Sequence, residues 1–346
     1  MIYFNNDYSE GCHPRILEKL TATNFEQTPG YGTDAYCTSA AELIKKLCKD
    51  ETVNVHFLVG GTQTNLTVIA AALRPYQAVI SAVSGHINVH ETGAIEATGH
   101  KVIGLPSDDG KITAEQIEKE ARSQSETMDA EHTVQPGMVY ISNPTEYGTI
   151  YSRDELQQIH EVCRKYDLYL FVDGARLGYG LTASDNDVTL ADMASFCDAF
   201  YIGGTKCGAL FGEALVISNA AVNRDFRYMI KQRGGMLAKG RLLGIQFCAL
   251  LEDDLYFTVA AEANAYAQTI RQTLKELGYP FLVENTTNQL FPILPENVLT
   301  ELEQEFVFSQ MGRVDENHRA IRICTSWATQ QENVDKLCKK LIELSK

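Results

Sequence analysis

The sequence runs to 346 residues, 45% hydrophobic and 22% charged, the balance of an ordinary globular protein too long for one compact core. Its formal net charge of −15 opposes counterion-driven binding to nucleic acid or anionic lipid, so an anionic ligand needs a locally cationic site. No apolar run reaches the ~18 residues that span a membrane, and nine scattered cysteines without a CxxC pair point to reduced thiols in a cytoplasmic protein.

Residues 1–35 follow no regular pattern and are expected to pack across the site or against a partner subunit. From 36 to 238, short apolar runs alternate with amphipathic stretches. "VNVHFLV" (53–59) runs into "GGTQTNLTVIAAAL", which reads as strand, glycine turn and helix. "AVISAV" (78–83) gives way to the amphipathic "NVHETGAIEATG", and "KVIGL" (101–105) precedes a helix that Thr113 caps, with Gln116 three residues on. "GMVYISN" (137–143) leads to a second capped helix, with Ser152 and Glu155 as its box. "LYLFVD" (168–173), "DAFYIGG" (198–204) and "EALVIS" (213–218) complete the series. This alternation predicts an α/β fold with a mostly parallel sheet and helices on both faces. From 239 onward the pattern changes to a long helical tract (239–277), then "PFLVEN", "QLFPILP", "RAIRICTSW" and a closing helix, a small C-terminal α+β domain.

Ligands in such sheets sit beyond the C-terminal ends of the strands. There stands Lys206, inside "FYIGGTKCGALFG". A lysine at a strand end ordinarily snorkels to water. Among glycines that admit a planar group, a partly desolvated lysine also suits Schiff-base formation with a carbonyl. Pyridoxal 5′-phosphate chemistry then needs three partners. A carboxylate must face the pyridine nitrogen, and Asp173 ends the preceding core strand. Backbone N–H groups at a helix start must take the phosphate, and Gly60, Gly61 and Thr62 occupy a strand-to-helix turn. A group must lie against the ring or move protons, and "SGHINVHETG" offers His86, His90 and Glu91. Those residues also read as metal ligands, but HExxH is absent and no further ligand completes the set, so no metal is expected. An amino-acid substrate adds a carboxylate, for which Arg176 and Arg322 are candidates. The sequence matches neither GxGxxG nor the P-loop pattern, against a dinucleotide or nucleoside triphosphate.

"LVGGTQTNL", "GHINVHETGA", "FVDGARLG" and "IGGTKCGA", in this order, resemble the pyridoxal-phosphate-dependent L-threonine aldolases of the fold-type I, aspartate-aminotransferase-like superfamily. The resemblance extends from "NNDYSEGCHP" to "RICTSWATQQENVDKL". It implies cleavage of threonine-like β-hydroxy-α-amino acids to glycine and an aldehyde, with Lys206 carrying the cofactor and Asp173 facing its ring nitrogen. It further implies that Gly61 and Thr62 bind phosphate and that His86 stacks on the ring. Asn6, Arg176 and Arg322 fall where the family holds the substrate carboxylate, and Tyr31 matches a tyrosine near the subunit boundary. Arg233 and Lys239 lie in a region that relatives contribute to a neighbouring site of a homodimer or homotetramer. One departure is "SNPTEYGT", where Glu146 stands near a family histidine and is able to accept a proton in its place. The other readings are a different pyridoxal-phosphate reaction (β-elimination, racemisation or transamination) and a cofactor-binding protein without turnover.

Overall fold

The computed structural model describes residues 1–345. The strands are β1 (Asn54–Leu58), β2 (Gln77–Ala82), β3 (Val102–Leu105), β4 (Gln135–Ser142), β5 (Tyr169–Asp173), β6 (Ala199–Gly203) and β7 (Glu213–Ile217). They form one sheet in the order β1-β7-β6-β5-β4-β2-β3. Every pairing is parallel except those of β7, which is antiparallel to both β1 and β6.

Because helices cover both faces, the strands read as nearly unbroken apolar runs. Successive side chains still alternate. On β5 and β6, Leu170, Val172, Phe200 and Ile202 enter one core, whereas Phe171, Ala199 and Tyr201 enter the other. Tyr140 of β4 shares that second face. The two predicted capping boxes are present, Thr113 with Gln116 and Ser152 with Glu155, opening the helices Ala114–Glu126 and Arg153–Lys165.

A third core joins Phe4, Ile270, Leu290, Ile321 and Ile323 to Val334 and Leu337 of the closing helix Gln331–Leu344. Its sheet pairs Ile293–Pro295 and Ser309–Arg313 antiparallel to His318–Cys324. The first residues belong to this unit as well, since Ile2–Tyr3 pairs in parallel with Phe306–Val307. Among the described residues, no helix is long and apolar enough to cross a membrane.

Three expectations change. The tract 239–277 is two helices, Arg241–Leu251 and Leu255–Glu276, separated by Asp253 and Asp254 at φ 54° and 55°. Aspartate tolerates the left-handed region, so this pair can turn the chain without glycine. "NVHETGAIEATG" contributes only the single turn His86–Val89 and a 3₁₀ turn at Glu96–Thr98, broken by Thr92 and Gly93 at φ 54° and 72°. "PFLVEN" forms no strand, Phe281 making one isolated bridge to Pro292.

Candidate active site

The strand ends bring their polar residues to a cavity of about 220 Å³, lined by Gly60, Gly61, Thr62, His86, Asp173, Lys206 and Glu213 among others. Its first wall is the start of the helix Gly61–Ala72, whose N-cap Gly60 has no side chain to cap it. Thr64 is the first residue whose N–H bonds back, to the Gly60 carbonyl at 3.0 Å, which leaves the leading N–H groups to an anion. Position 61 is tight, since a Cβ there would lie 2.9 Å from Tyr201 Oη.

Asp173 is nearly enclosed, 4% exposed, and four donors satisfy it. Tyr201 Oη and the Ala175 N–H donate to Oδ1 at 2.5 and 2.9 Å. Tyr140 Oη and Asn65 Nδ2 donate to Oδ2 at 2.5 and 3.0 Å. Burial alone would raise this carboxyl, but the His86 imidazole and the donors outweigh it and hold it below the usual range. A permanent carboxylate is what a ring nitrogen needs in order to stay protonated.

His86 opens the short turn beside this network, and its Nδ1 sits 2.8 Å from Glu91 Oε1. Asn65 Nδ2 donates to the same Glu91 oxygen at 2.7 Å, so His86, Glu91, Asn65 and Asp173 form one chain. Burial pulls His86 down, while Glu91 and Asp173 pull harder, and the imidazole is raised overall. His90 caps the turn, with its ring 5.5 Å from that of His86. Among the described residues, no group of three or more histidine, cysteine, aspartate or glutamate side chains is arranged to hold a metal ion.

Lys206 follows β6. Burial, reinforced by the positive charge of Arg176, lowers its ammonium against the pull of Asp7, Asp173 and Glu213. The flanking glycines do not serve as clearance for a flat ligand, as the sequence suggested. A Cβ at Gly203 would meet the Ala175 and Gly174 carbonyls at 2.5 and 2.6 Å, and one at Gly204 the Gly212 carbonyl at 2.9 Å. These glycines let backbones approach one another, and that approach fixes the loop carrying Lys206. Cys207 is buried in the core.

A second cavity of about 660 Å³ shares His86, Glu146, Arg176 and Lys206 with the first and adds Tyr8, Tyr147, Phe291, Met311 and Arg322. The two arginines differ there. Arg176 gives Nε and Nη2 to Asp7, at 2.7 and 2.9 Å, which fixes its guanidinium and leaves the Nη1 donors for a ligand. Burial would raise Asp7, but Arg176 and Lys206 bring it down to about 2. Arg322 gives Nη2 to the Asn5 carbonyl at 2.9 Å and Nη1 to Gln289 Oε1 at 3.3 Å, while its buried Nε has no partner. Glu146 Oε1 accepts from Ser142 Oγ at 2.7 Å and from the His86 N–H at 2.8 Å, and burial raises its carboxyl.

Four expected residues lie outside both cavities. Asn6 accepts from the Tyr8 N–H at 2.9 Å and lines a separate space with Cys324 and Ser326; its neighbour Asp7 is the one that binds Arg176. Tyr31 lines another cavity with Arg227 and Met236. The Arg233 carbonyl accepts from Gln63 Nε2 at 3.1 Å, and Lys239 is exposed. Sequence reasoning missed Asn65, Tyr140, Tyr201, Asp7 and Glu213. The tyrosines were readable as polar tips on core strands in step with Asp173; the others carry no local signal.

The residues fit pyridoxal 5′-phosphate. An uncapped helix start, a carboxylate held ionised and a desolvated lysine surround one space, and buried Asn65 Oδ1 and Glu213 Oε2 have no protein partner. Comparison with known proteins agrees. The chain is 45% identical to the Leishmania major threonine aldolase, covering 100% of both chains with a TM-score of 0.98. It is 28% identical to a low specificity L-threonine aldolase of a Pseudomonas species, over 96% of this chain and 95% of that one. An aromatic aminotransferase of Pyrococcus horikoshii, 15% identical, shares the fold with a TM-score of 0.69 over 99% of this chain and 95% of its own. With residues 9–296 matching the family's pattern, the chain belongs to the beta-eliminating lyases.

Proposed function

We propose that the protein is a pyridoxal-phosphate-dependent aldolase that cleaves L-threonine, L-allo-threonine or related β-hydroxy-α-amino acids to glycine and an aldehyde. The observation that carries this reading is the meeting of Lys206, Asp173, His86 and the Gly60–Thr62 turn on one cavity, continuous with a larger one beside Glu146 and Arg322. When bound, the cofactor supplies a sink for the electron pair released as the Cα–Cβ bond breaks.

The chain's own residues do the rest. Lys206, its ammonium weakened by burial, would present a neutral amine as the point at which the cofactor is held. Asp173 keeps its charge and holds the proton on the ring nitrogen. Gly61 and Thr62 offer N–H groups to the phosphate, and His86, fixed by Glu91, lies against the ring. Arg322 and Arg176, the latter fixed by Asp7, hold the substrate carboxylate. Glu146, raised by burial, accepts the β-hydroxyl proton.

The chain is read as three parts, an N-terminal segment (1–35), a large cofactor domain (36–238) and a linking helical region with a small domain (239–346). It works in the cytoplasm, consistent with nine unpaired cysteines, as a homodimer or homotetramer with Tyr31, Arg233 and Lys239 near subunit boundaries. Incubating purified protein with L-threonine, L-allo-threonine and phenylserine should yield glycine and the matching aldehyde from at least one. Release of a keto acid and ammonia, with no aldehyde from any substrate, would overturn the reading.

A further inference from the structure

Glu213 is a polar wall of the cavity that no motif assigns. It is the first residue of β7 and pairs with Leu58 of β1 on one side and Gly203 of β6 on the other. Its backbone thus lies between the strand entering the Gly60–Thr62 turn and the strand entering the Lys206 loop. The residue is 3% exposed. Thr205 Oγ1 donates to Oε1 at 3.1 Å and itself accepts from the Gly212 N–H at 3.0 Å, which fixes the carboxyl. Oε2 is buried without any partner, although the residue lines the same cavity as Gly60, Gly61, Thr62 and Lys206.

A charged carboxylate beside an anion turn would repel phosphate, whereas a neutral acid there has a proton to give. We infer that Glu213 acts as a neutral carboxylic acid whose Oε2–H donates a hydrogen bond to the phosphate of pyridoxal 5′-phosphate, completing the turn formed by Gly60, Gly61 and Thr62. The inference rests on the cofactor reading above. In support, burial pushes Glu213 up to about 8, against the opposing charge of Lys206 and with the help of Asp173. The other titratable groups that feel its charge are Tyr201, Tyr256 and Cys207. Both phenols are held well above their ordinary value and the thiol is pushed up to about 12. Asp173 stays ionised. Lys206, His86 and Glu146 line the same cavity and titrate as well, Lys206 strengthening attachment as it loses its proton, and because all three are present in wild type and Glu213→Gln the comparison of the two isolates Glu213.

The test titrates the full-length protein, stripped of cofactor, with pyridoxal 5′-phosphate and with pyridoxal, by calorimetry across about pH 6 to 10. Wild type is compared with Glu213→Gln, which keeps a donor at every pH, and with Glu213→Ala, which has none; circular dichroism checks the fold of each. For pyridoxal 5′-phosphate, the ratio of wild-type to Glu213→Gln affinity should be flat below about pH 7. It should then fall about tenfold per pH unit above about 8, as a donor that must be protonated requires. Glu213→Ala should bind about tenfold more weakly than wild type near neutral pH. Pyridoxal, lacking the phosphate, should show neither effect. Parallel wild-type and Glu213→Gln profiles, or the same divergence with pyridoxal, would overturn the inference. If none of the three proteins bound pyridoxal 5′-phosphate at any pH, the cofactor reading would fall and the inference with it.

Discussion

Asp173→Asn removes one charge and leaves the shape of the side chain. The native carboxylate accepts from Tyr201, Tyr140, Asn65 and the Ala175 N–H, and all four contacts hold it in one orientation. The replacement amide retains one acceptor, so the Ala175 and Tyr201 contacts survive on the oxygen while Nδ2 confronts the Asn65 amide. That local conflict costs about 1–3 kcal/mol of stability, a drop of a few degrees in melting temperature for a chain of this size. The catalytic loss should be larger. A carboxylate against a protonated ring nitrogen at contact distance contributes about 4 kcal/mol at an effective dielectric of about 20, and each 1.36 kcal/mol is about tenfold in rate. Turnover should therefore fall about a thousandfold while the fold persists. The assay is aldehyde release under saturating cofactor and substrate, with melting followed in parallel. Turnover within about threefold of wild type would refute the role given to Asp173.

Arg322→Gln removes the guanidinium whose Nε is unpartnered beside the larger cavity, so KM should rise about a hundredfold with kcat changed far less. An equal loss confined to kcat would contradict carboxylate binding. Glu146 must be ionised to accept a proton, and burial raises its pKa, so kcat should climb with pH until that raised value is passed. Glu146→Gln should flatten this acidic limb and lower kcat by about 10²–10⁴; an unchanged limb would assign it elsewhere. Gly61→Ala would set a methyl group 2.9 Å from Tyr201 Oη, which is itself bound to Asp173. Overpacking of this kind costs about 1–3 kcal/mol, and cofactor affinity by equilibrium dialysis should fall at least about fivefold.

The sheet was legible because its strands are short apolar runs with both faces covered, and each predicted run lies within two residues of a strand's observed ends. Capping residues at Thr113 and Ser152 announced their helices for the same local reason. Legibility failed where one pair of residues overrides a periodic pattern, as Asp253 and Asp254 do between two helices. In the site, residues ending a strand or opening a turn (Lys206, Asp173, Gly61 and His86) stood out in the sequence. Their distant supports did not, because Asn65 and Asp7 act across gaps of 108 and 169 residues, whereas Glu91 lies only 5 residues from His86 and was visible beside it. Arg176 illustrates the limit. Its guanidinium suits a substrate carboxylate in sequence terms, yet the Asp7 that fixes it through two of its donors arrives from the N-terminal segment. The glycines around Lys206 mislead, since what they avoid is backbone from elsewhere in the chain.

The central claim is that Lys206 carries the cofactor. Borohydride reduction of the purified protein, followed by proteolysis and mass spectrometry, reads this directly. The account predicts a reduced pyridoxyl group on the peptide containing Lys206, and none anywhere in Lys206→Ala. A pyridoxyl group fixed at another lysine in the wild-type protein, or one that persists in Lys206→Ala, would contradict it.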